Sequence, residues 1–222
     1  MVGTRRIGIM GGTFDPIHLG HLVTAEQARA DLHLDEVVFV PAGQPWQKGD
    51  TTPAEHRYLM TVLATAANTA FTLSRMEIER DGPTYTVETL REFRAACPAD
   101  ELFFITGADA IVNILTWKSA EECLQLAHFV AATRPGHDVG VLEAEGLADT
   151  VTVLDVPALA ISSTDVRERF SAGRSVRYLI PREVEQYARK HGLYGTAGQL
   201  SACNAPQPWG HARPPPDRYD PE

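Results

Sequence analysis

The length and composition of the chain exclude several classes of protein. It has 222 residues, enough for one or two domains and a sizeable buried core. Hydrophobic residues make up 44% and charged residues 22%, a balance typical of globular proteins rather than disordered or fibrous ones. The net charge of −9 argues against a protein that binds duplex nucleic acid. A small anionic ligand stays open, because a local pocket can be positive on an acidic protein.

Nothing in the sequence indicates a membrane span, a secretion signal or a disulfide framework. No stretch approaches the roughly 20 consecutive apolar residues that cross a bilayer. The apolar run after Arg5 and Arg6 is short and broken by glycines, unlike a signal peptide. Cys97, Cys123 and Cys203 are widely spaced and form no Cys-x-x-Cys pair, which disfavours a disulfide scaffold and a zinc knuckle. We expect a cytoplasmic protein with reduced thiols.

Short apolar strands alternate with helical patterns through most of the chain. We predict strands over 6–10, 37–40, 71–79, 102–105, 128–133 and 151–156. We predict helices over 19–32, 54–67, 86–96 and 108–126. Because this alternation is typical of β-α-β units, the sequence predicts an α/β fold with a Rossmann-like, doubly wound parallel sheet. A ligand is then expected at the carboxyl ends of the strands.

The last part of the chain breaks this alternation. Two helices are predicted over 163–172 and 181–191, the second with Pro181 at its first position and Gly192 just past its end. From residue 196, Pro, Gly and polar residues dominate, as is typical of a disordered tail. We therefore predict one domain over 1–195, with a small C-terminal helical part from about 163, and a tail over 196–222.

The densest chemical signal follows the first strand. Gly11 and Gly12 permit close approach to the backbone, and the helix that follows would direct its N-terminal N–H groups at an anion. His18 and His21 are three residues apart and would face the same side of the first helical turn. Gly20 between them leaves room for a ligand against the backbone. The segment predicts a phosphate site.

Three other kinds of site fit this segment less well. A dinucleotide fingerprint requires Gly-x-Gly-x-x-Gly, whereas this chain has Gly8-x-x-Gly11-Gly12. A P-loop requires Gly-Lys-Ser/Thr at the start of the helix, and that tripeptide does not occur. A metal site built on the two histidines lacks an obvious third ligand, although Asp15 and Asp109 stay open as candidates.

Two motifs together carry a resemblance to a known superfamily. Thr13–His21 (TFDPIHLGH) resembles the His-x-Gly-His signature of a nucleotidyltransferase superfamily, and Ile161–Arg167 (ISSTDVR) resembles its second signature. Within that superfamily, residues 5–195 are similar to the bacterial nicotinate mononucleotide adenylyltransferases. The segments Gly82–Thr86 and Thr106–Asp109, together with Trp117, favour this branch.

The resemblance implies an activity. It is the transfer of AMP from ATP to nicotinate mononucleotide, which gives nicotinate adenine dinucleotide and pyrophosphate in NAD biosynthesis. The acceptor phosphate would attack directly and in line, without a general base, because it is already an anion. Mg²⁺ is implied as an ion that enters with ATP and is not held by the protein. The same chemistry on nicotinamide mononucleotide or phosphopantetheine, and a non-catalytic nucleotide-binding module, are the alternatives. A homo-oligomer is left open, and no nucleic-acid or membrane partner is expected.

The resemblance also implies which residues form the site. The implied catalytic residues, acting as donors to phosphates, are His18, His21 and Arg167. Those implied to bind ATP are Gly11, Gly12, Thr13, Phe14, Gly107, Asp109, Arg134, Ile161, Ser162, Ser163 and Thr164. Those implied to bind the acceptor are Asp15, Lys48, Thr84, Tyr85, Thr86 and Trp117.

Several of these residues also have an ordinary structural explanation. Trp117 would stack on the nicotinate ring, although a lone Trp is more often part of a core. Donors at 84–86 would receive the nicotinate carboxylate and favour the acid over the amide, although a helix N-cap explains them too. The hydroxyls at 162–164 could serve only as caps. One departure concerns Gln44–Lys48, where many relatives have Pro-Pro-His-Lys; Lys48 can still serve a substrate phosphate.

Overall fold

Strands and helices alternate in the computed structural model, which describes residues 3–45, 49, 51–111, 114–133, 150–157 and 159–195, without the side chains of 108 and 109. The described strands are β1 (Arg6–Gly12), β2 (Glu36–Pro41), β3 (Phe71–Leu73), β4 (Glu101–Gly107), β5 (His128–Thr133) and β6 (Val151–Asp155). The described α-helices are α1 (Leu19–Asp31), α2 (Ala54–Thr65), α3 (Met76–Glu79), α4 (Thr86–Ala96), α5 (Ala108–Ile111), α6 (Ala120–Leu126), α7 (Ser163–Ser171) and α8 (Arg182–Lys190). Two 3₁₀ turns cover Ile114–Thr116 and Leu193–Gly195.

The strands form one parallel sheet in the order β3-β2-β1-β4-β5-β6. Met10 of β1 lies opposite Phe39 of β2 on one side and Ile105 of β4 on the other. The chain therefore winds outward from β1 in both directions, and the strand order reverses between β1 and β4. In doubly wound sheets this is where ligands bind, beyond the carboxyl ends of the strands. The predicted Rossmann-like fold is confirmed.

The core lies on both faces of the sheet, because successive strand residues point to opposite sides. On one face, Met10 and Phe39 pack in a cluster that also contains Ala25 and Ala28 of α1. On the other face, Ile9 packs with apolar residues of α4 and α6. Leu22 of α1 and Leu32, which follows its last residue, are half-buried against the first cluster. The continuous apolar strands in the sequence thus reflect a sheet covered on both sides.

Two predicted elements were wrong. The strand predicted over 71–79 ends at Leu73. Met76 is the first residue of a short helix, and its backbone N–H donates to the Ser74 hydroxyl at 3.2 Å. The single helix predicted over 108–126 is divided into α5, a 3₁₀ turn and α6. Ser119 has a left-handed backbone with φ of 53°, which a continuous right-handed helix cannot contain.

The C-terminal helical part is present as predicted, with one correction. Pro181 is the residue before α8 and has an extended backbone, so it caps the helix instead of occupying the first helical position. Gly192 lies just past the end of α8 with a positive φ of 62°, a conformation that glycine adopts at little cost. The predicted tail over 196–222 lies outside the described residues.

The described cysteines Cys97 and Cys123 are free thiols, and burial raises the pKa of Cys123 to about 11. None of the helices in the described ranges has the length and apolar character needed to span a bilayer.

Candidate active site

A cavity of about 620 Å³ opens beside the reversal in strand order. Met10 of β1, Gly107 of β4 and Ala132 of β5 form its floor, and the starts of α1 and α7 contribute to its walls. Its volume lies within the range of roughly 300–1,000 Å³ that is usual for small-molecule sites. The predicted site residues that line it are Thr13, Asp15, His18, His21, Gly107, Ile161, Ser162, Ser163, Thr164 and Arg167.

Hydrogen bonds join the two sequence motifs at this cavity. Arg167 donates from Nη1 to the backbone oxygen of Asp15 at 2.7 Å, across 152 residues of sequence. Ser163 donates from its hydroxyl to the backbone oxygen of Pro16 at 2.9 Å. The start of α7 is thereby fixed against the segment that connects β1 to α1. Two motifs that are distant in sequence form one wall.

His18 and His21 lie side by side, as their spacing predicted. Their rings stack with centroids 3.7 Å apart, and His18 is only 6% exposed. The His18 backbone N–H donates to Nδ1 of His21 at 3.2 Å. A neutral imidazole carries its proton on the nitrogen that does not accept, so Nε2 is the donor atom of His21.

Gly20 lines the cavity and also makes room for a histidine ring. A Cβ on this residue would lie 3.0 Å from Nδ1 and 3.1 Å from Cε1 of His18. Its missing side chain therefore makes room for the His18 ring, and not only for a ligand. The glycine allows an imidazole to lie flat over the first turn of α1.

Gly11 and Gly12 are also explained by packing. A Cβ on Gly11 would approach the Phe104 ring to 3.2 Å, and one on Gly12 would approach the Phe14 ring to 2.8 Å. Neither glycine lines the cavity, and Phe14 does not line it either. Phe14 is buried and packs edge-on against His21, with ring centroids 5.1 Å apart. These three residues shape the turn that presents the histidines.

The start of α7 shows which hydroxyls cap the helix. Ser162 accepts from the Asp165 N–H at 3.1 Å and is the N-cap, while Thr164 accepts from Nη2 of Arg167 at 3.2 Å. Both α1 and α7 begin at the cavity, and the first N–H groups of a helix carry a partial positive charge. Together with Arg167 of α7, which also lines the cavity, they create an environment for anions on an acidic protein.

Asp15 lines the cavity, but its carboxylate is held by the protein. One oxygen accepts from the Thr52 N–H at 3.1 Å and the other from the Tyr194 hydroxyl at 2.7 Å. Burial raises the pKa of Tyr194, so this hydroxyl stays a donor. In this arrangement Asp15 fixes the turn between β1 and α1.

Four predicted acceptor-binding residues that the structure describes do not line the large cavity: Thr84, Tyr85, Thr86 and Trp117. Thr84 is buried, and both its N–H and its hydroxyl donate to the backbone oxygen of Gln44, at 3.1 and 3.2 Å. Tyr85 precedes α4, and the Lys118 ammonium lies 4.1 Å from the centre of its ring. Thr86 is the first residue of α4. The structure thus places Thr84–Thr86 at a helix start, beside the segment that carries Trp117.

Trp117 is half-buried against the second face of the sheet. Its ring lies edge-on to Phe104 and Phe129, with centroids 6.2 and 6.4 Å away. The remaining predicted residues, Lys48 and Arg134, lie outside the described residues, as does the side chain of Asp109. Among the side chains that are described, no group of three His, Cys, Asp or Glu residues could hold a metal ion.

Sequence reasoning missed one buried and one half-buried residue beside the site. Arg57, on α2, donates to three backbone oxygens, and Tyr194 donates to Asp15. Arg57 could have been found, because it is three and four residues before Met60 and Thr61 and so lies on the buried face of α2. Tyr194 offered no such signal, since it lies in a short turn after the last helix.

Comparison with known proteins places the chain in a family. The model described as cytidylyltransferase-like matches residues 9–169. A protein of Leifsonia xyli, described as a probable nicotinate-nucleotide adenylyltransferase, is 60% identical over 190 residues, which are 85% of this chain and 94% of that protein. A relative of the same description from Clavibacter michiganensis is 62% identical over equal shares of the two chains.

The chain belongs to the nicotinate-nucleotide adenylyltransferases of the cytidylyltransferase-like family. The family predicted from the two motifs is confirmed. Solved structures of similar fold include the Plasmodium falciparum nicotinic acid mononucleotide adenylyltransferase complexed with NaAD, at 21% identity and a TM-score of 0.73 over 86% of this chain and 97% of that one. A Vibrio parahaemolyticus structure described as a putative nicotinate-nucleotide adenylyltransferase has a TM-score of 0.62 at 19% identity, over 86% of this chain and 96% of that one. At these identities the likeness concerns the fold.

Proposed function

We propose that this chain is the adenylyltransferase that joins ATP and nicotinate mononucleotide, releasing nicotinate adenine dinucleotide and pyrophosphate. The observation that carries the proposal is the convergence of the two family motifs on one cavity, where His18, His21 and Arg167 meet two helix starts. Relatives with this activity in their description share 60% and 62% of their aligned residues with this chain. The expected cytoplasmic location stays a prediction.

The chemistry requires alignment of two anions more than it requires a base. The acceptor phosphate is an anion at neutral pH, and it attacks the α-phosphorus of ATP as the bond to pyrophosphate breaks. Holding two reactants in line can contribute about 7–11 kcal/mol to the barrier reduction. The cavity provides for this with donors from the start of α1 and from the start of α7, which both line it.

The donors are assigned by their position in the cavity. Nε2 of His21 and the ring of His18 would donate to the phosphates where the new bridge forms. Arg167 would exchange its hydrogen bond to the Asp15 backbone for a bidentate bond to the departing pyrophosphate. Ser163 and Thr164, with the first N–H groups of α7, would hold the outer phosphates. Removing one donor to developing charge typically costs about 3–4 kcal/mol.

We assign the acceptor side to the segment before α4. Because Thr84 gives both donors to Gln44, it would hold the loop after β2. The Thr86 hydroxyl and the N–H groups of Tyr85 and Thr86 would donate to the nicotinate carboxylate. Trp117 would support the pyridine ring from the adjoining segment. Lys48, Asp109 and Arg134 keep their predicted roles toward substrate phosphate, ribose and ATP.

The divalent cation that accompanies ATP is proposed to be Mg²⁺. This ion keeps several waters and uses few protein ligands when it bridges phosphates, which suits a site where no described trio of acidic, His or Cys side chains could hold a metal. It would neutralise charge on the departing pyrophosphate. The protein would contribute the fixed donors around it.

The test is pyrophosphate release from MgATP with nicotinate mononucleotide, nicotinamide mononucleotide or phosphopantetheine as acceptor. Strong release with the nicotinate form, together with a product of the dinucleotide mass, is expected. Release only with another acceptor would keep the phosphate chemistry and overturn the acceptor assignment. Nucleotide binding without release from any of the three would favour a non-catalytic module.

A further inference from the structure

Arg57 is a buried charge that joins three segments around the site. It is only 1% exposed, although it lies on α2 and not in the cavity. Its Nη1 donates to the backbone oxygen of Thr13 at 2.8 Å and its Nη2 to that of Gly43 at 2.9 Å. Its Nε donates to the backbone oxygen of Thr52 at 2.7 Å. Each of its nitrogens therefore holds a different piece of main chain.

The three segments belong to different sides of the site. Thr13 is in the motif that carries the histidines and lines the large cavity. Gly43 precedes Gln44, which accepts both hydrogen bonds from Thr84 on the acceptor side. Thr52 donates its N–H to Asp15. Through one guanidinium, the phosphate side and the acceptor side are tied at their backbones.

The cavities agree with this placement. A second cavity of about 290 Å³ is lined by Arg57, Gly43, Gln44 and Thr52, among others. It adjoins the large cavity through Gly49 and Thr51, which line both. Arg57 is therefore part of the wall of the smaller cavity, which adjoins the larger one.

Only an arginine suits this position. Burial lowers the pKa of the Arg57 guanidinium, and the nearby negative charge of Asp15 acts against that shift. The planar guanidinium offers five donors in a fixed fork, so it can hold three carbonyl oxygens in different directions. A lysine would bring the same charge with all its donors on one nitrogen. The close contact at Gly43 adds to the constraint, since a Cβ there would lie 2.0 Å from the backbone oxygen of Glu77.

We infer that Arg57 is a positioning residue, which fixes the distance between the bound ATP and the bound acceptor without touching either. This inference rests on the proposed reaction. Each substrate is held by its own segment, so binding of each alone does not depend on Arg57. The rate of joining them does, because a displacement of about 1 Å between reactants can cost up to a hundredfold in rate.

The experiment compares R57K with the matched control R94K. Arg94 is half-buried and also donates to two backbone oxygens, those of Asp100 and Leu126 at 2.8 and 2.9 Å. Those residues precede the amino ends of β4 and β5, whereas the cavity lies at the carboxyl ends of these strands. Both variants are assayed for pyrophosphate release at a temperature where circular dichroism shows them folded.

For R57K we expect a kcat at least about tenfold below wild type, with KM values for ATP and acceptor within about twofold. R94K should keep its kcat within about twofold, even if its melting temperature falls. A purely structural role would lower melting temperature in both variants and leave kcat of the folded enzyme unchanged. A kcat near wild type in R57K, an equal loss in R94K, or an R57K chain that does not fold while R94K folds would each overturn the inference.

Hydrogen exchange separates this inference from the proposed function. In R57K, the amides of 13–15 and 43–44 should exchange at least about tenfold faster than in wild type, and in R94K they should be unchanged. If wild type releases no pyrophosphate with any acceptor, the proposed function fails. The exchange result then decides alone: faster exchange in both segments keeps Arg57 as their tie, and unchanged exchange rejects it.

Discussion

The phosphate side and the acceptor side of the site differ in how their polar groups are used. On the phosphate side, His18, His21 and Arg167 line the large cavity together, and several hydroxyls surround them. On the acceptor side, Thr84 gives both donors to Gln44, and Trp117 packs against two phenylalanines of the core. The phosphate side presents hydrogen-bond donors to a ligand, whereas on the acceptor side several donors and the indole ring make contacts within the protein.

This difference shows where the preorganisation of the site lies. On the phosphate side His18 and His21 already line the cavity, whereas Arg167 and Ser163 would each exchange a hydrogen bond to a backbone oxygen for one to a phosphate. The acceptor side can gain selectivity only from groups that are not committed to the protein. We therefore expect variants on the phosphate side to act on turnover and variants on the acceptor side to act on the choice of acceptor.

The largest effects are expected on the phosphate side. His18→Ala and Arg167→Ala should each lower turnover in pyrophosphate release by at least about tenfold, because each removes a donor to developing phosphate charge. Arg169→Ala is the matched control on α7, since Arg169 pairs with Asp165 at 2.8 Å. Near-normal turnover in either test variant would remove that residue from the mechanism, as would an equal loss in the control.

On the acceptor side, two neighbouring threonines should behave differently. Thr86→Val should lower the preference for nicotinate over nicotinamide mononucleotide by about tenfold, because it removes a hydroxyl that we assign to the nicotinate carboxylate. Thr84→Val should leave that preference unchanged, because its hydroxyl already donates to Gln44 at 3.2 Å. Ratios of kcat/KM for the two acceptors measure both effects. A larger change in the Thr84 variant would reverse the assignment.

The hydrogen bond between Tyr194 and Asp15 should contribute to stability. Tyr194→Phe removes a donor 2.7 Å from a buried carboxylate, and a bond to a charged group is worth about 1.5–3 kcal/mol. Urea unfolding should show a loss of that size. Tyr178→Phe is the control, because Tyr178 is 80% exposed, and its unfolding free energy should match wild type. Equal stability of the two variants would mean that Asp15 is held without Tyr194.

Glu77 provides the smallest effect, a change in the pH dependence of stability. Burial raises the pKa of its carboxyl above the ordinary 4.5, although the Thr89 hydroxyl and Arg80 act against the shift. The folded state therefore binds this proton more tightly than the unfolded chain does. Its contribution to stability falls as pH rises from 4.5 through the raised pKa.

Glu77→Gln should remove that contribution. In urea unfolding, the free energy of wild type relative to the variant should decline as pH rises from 4.5. Glu79→Gln on the same helix is the control, because Glu79 is largely exposed in its pair with Arg75. A difference between wild type and the Glu77→Gln variant that stays constant with pH would contradict the assignment to Glu77. A decline of equal size relative to the Glu79→Gln variant would contradict it too.

The sequence allowed most of the sheet and the phosphate side to be predicted for a physical reason. Buried parallel strands have apolar runs, and Gly11, His18 and Gly20 are residue types that a tight turn and an anion site require. A glycine in the sequence does not show which group occupies the space of its missing side chain. The contact of Gly20 with the His18 ring is therefore visible only in the structure.

The missed break in the predicted helix is local. At Ser119 it is a backbone conformation that residue type alone does not specify.

The two missed residues depend on contacts between segments that are distant in sequence. Arg57 holds oxygens 5, 14 and 44 residues away in sequence, and Tyr194 reaches Asp15 across 179 residues. Such pairings follow from the topology of the sheet. Because β1 lies between β2 and β4, the turn after it is reached by α2 and by the segment after the last helix.

In the proposed reaction, the cavity aligns two phosphates for direct attack without a covalent enzyme intermediate. The most direct test uses one diastereomer of ATP with sulfur on the α-phosphorus and determines the configuration of the dinucleotide product. One in-line displacement predicts inversion at that phosphorus. Retention would require two displacements, and therefore an intermediate on the enzyme, and would contradict the account.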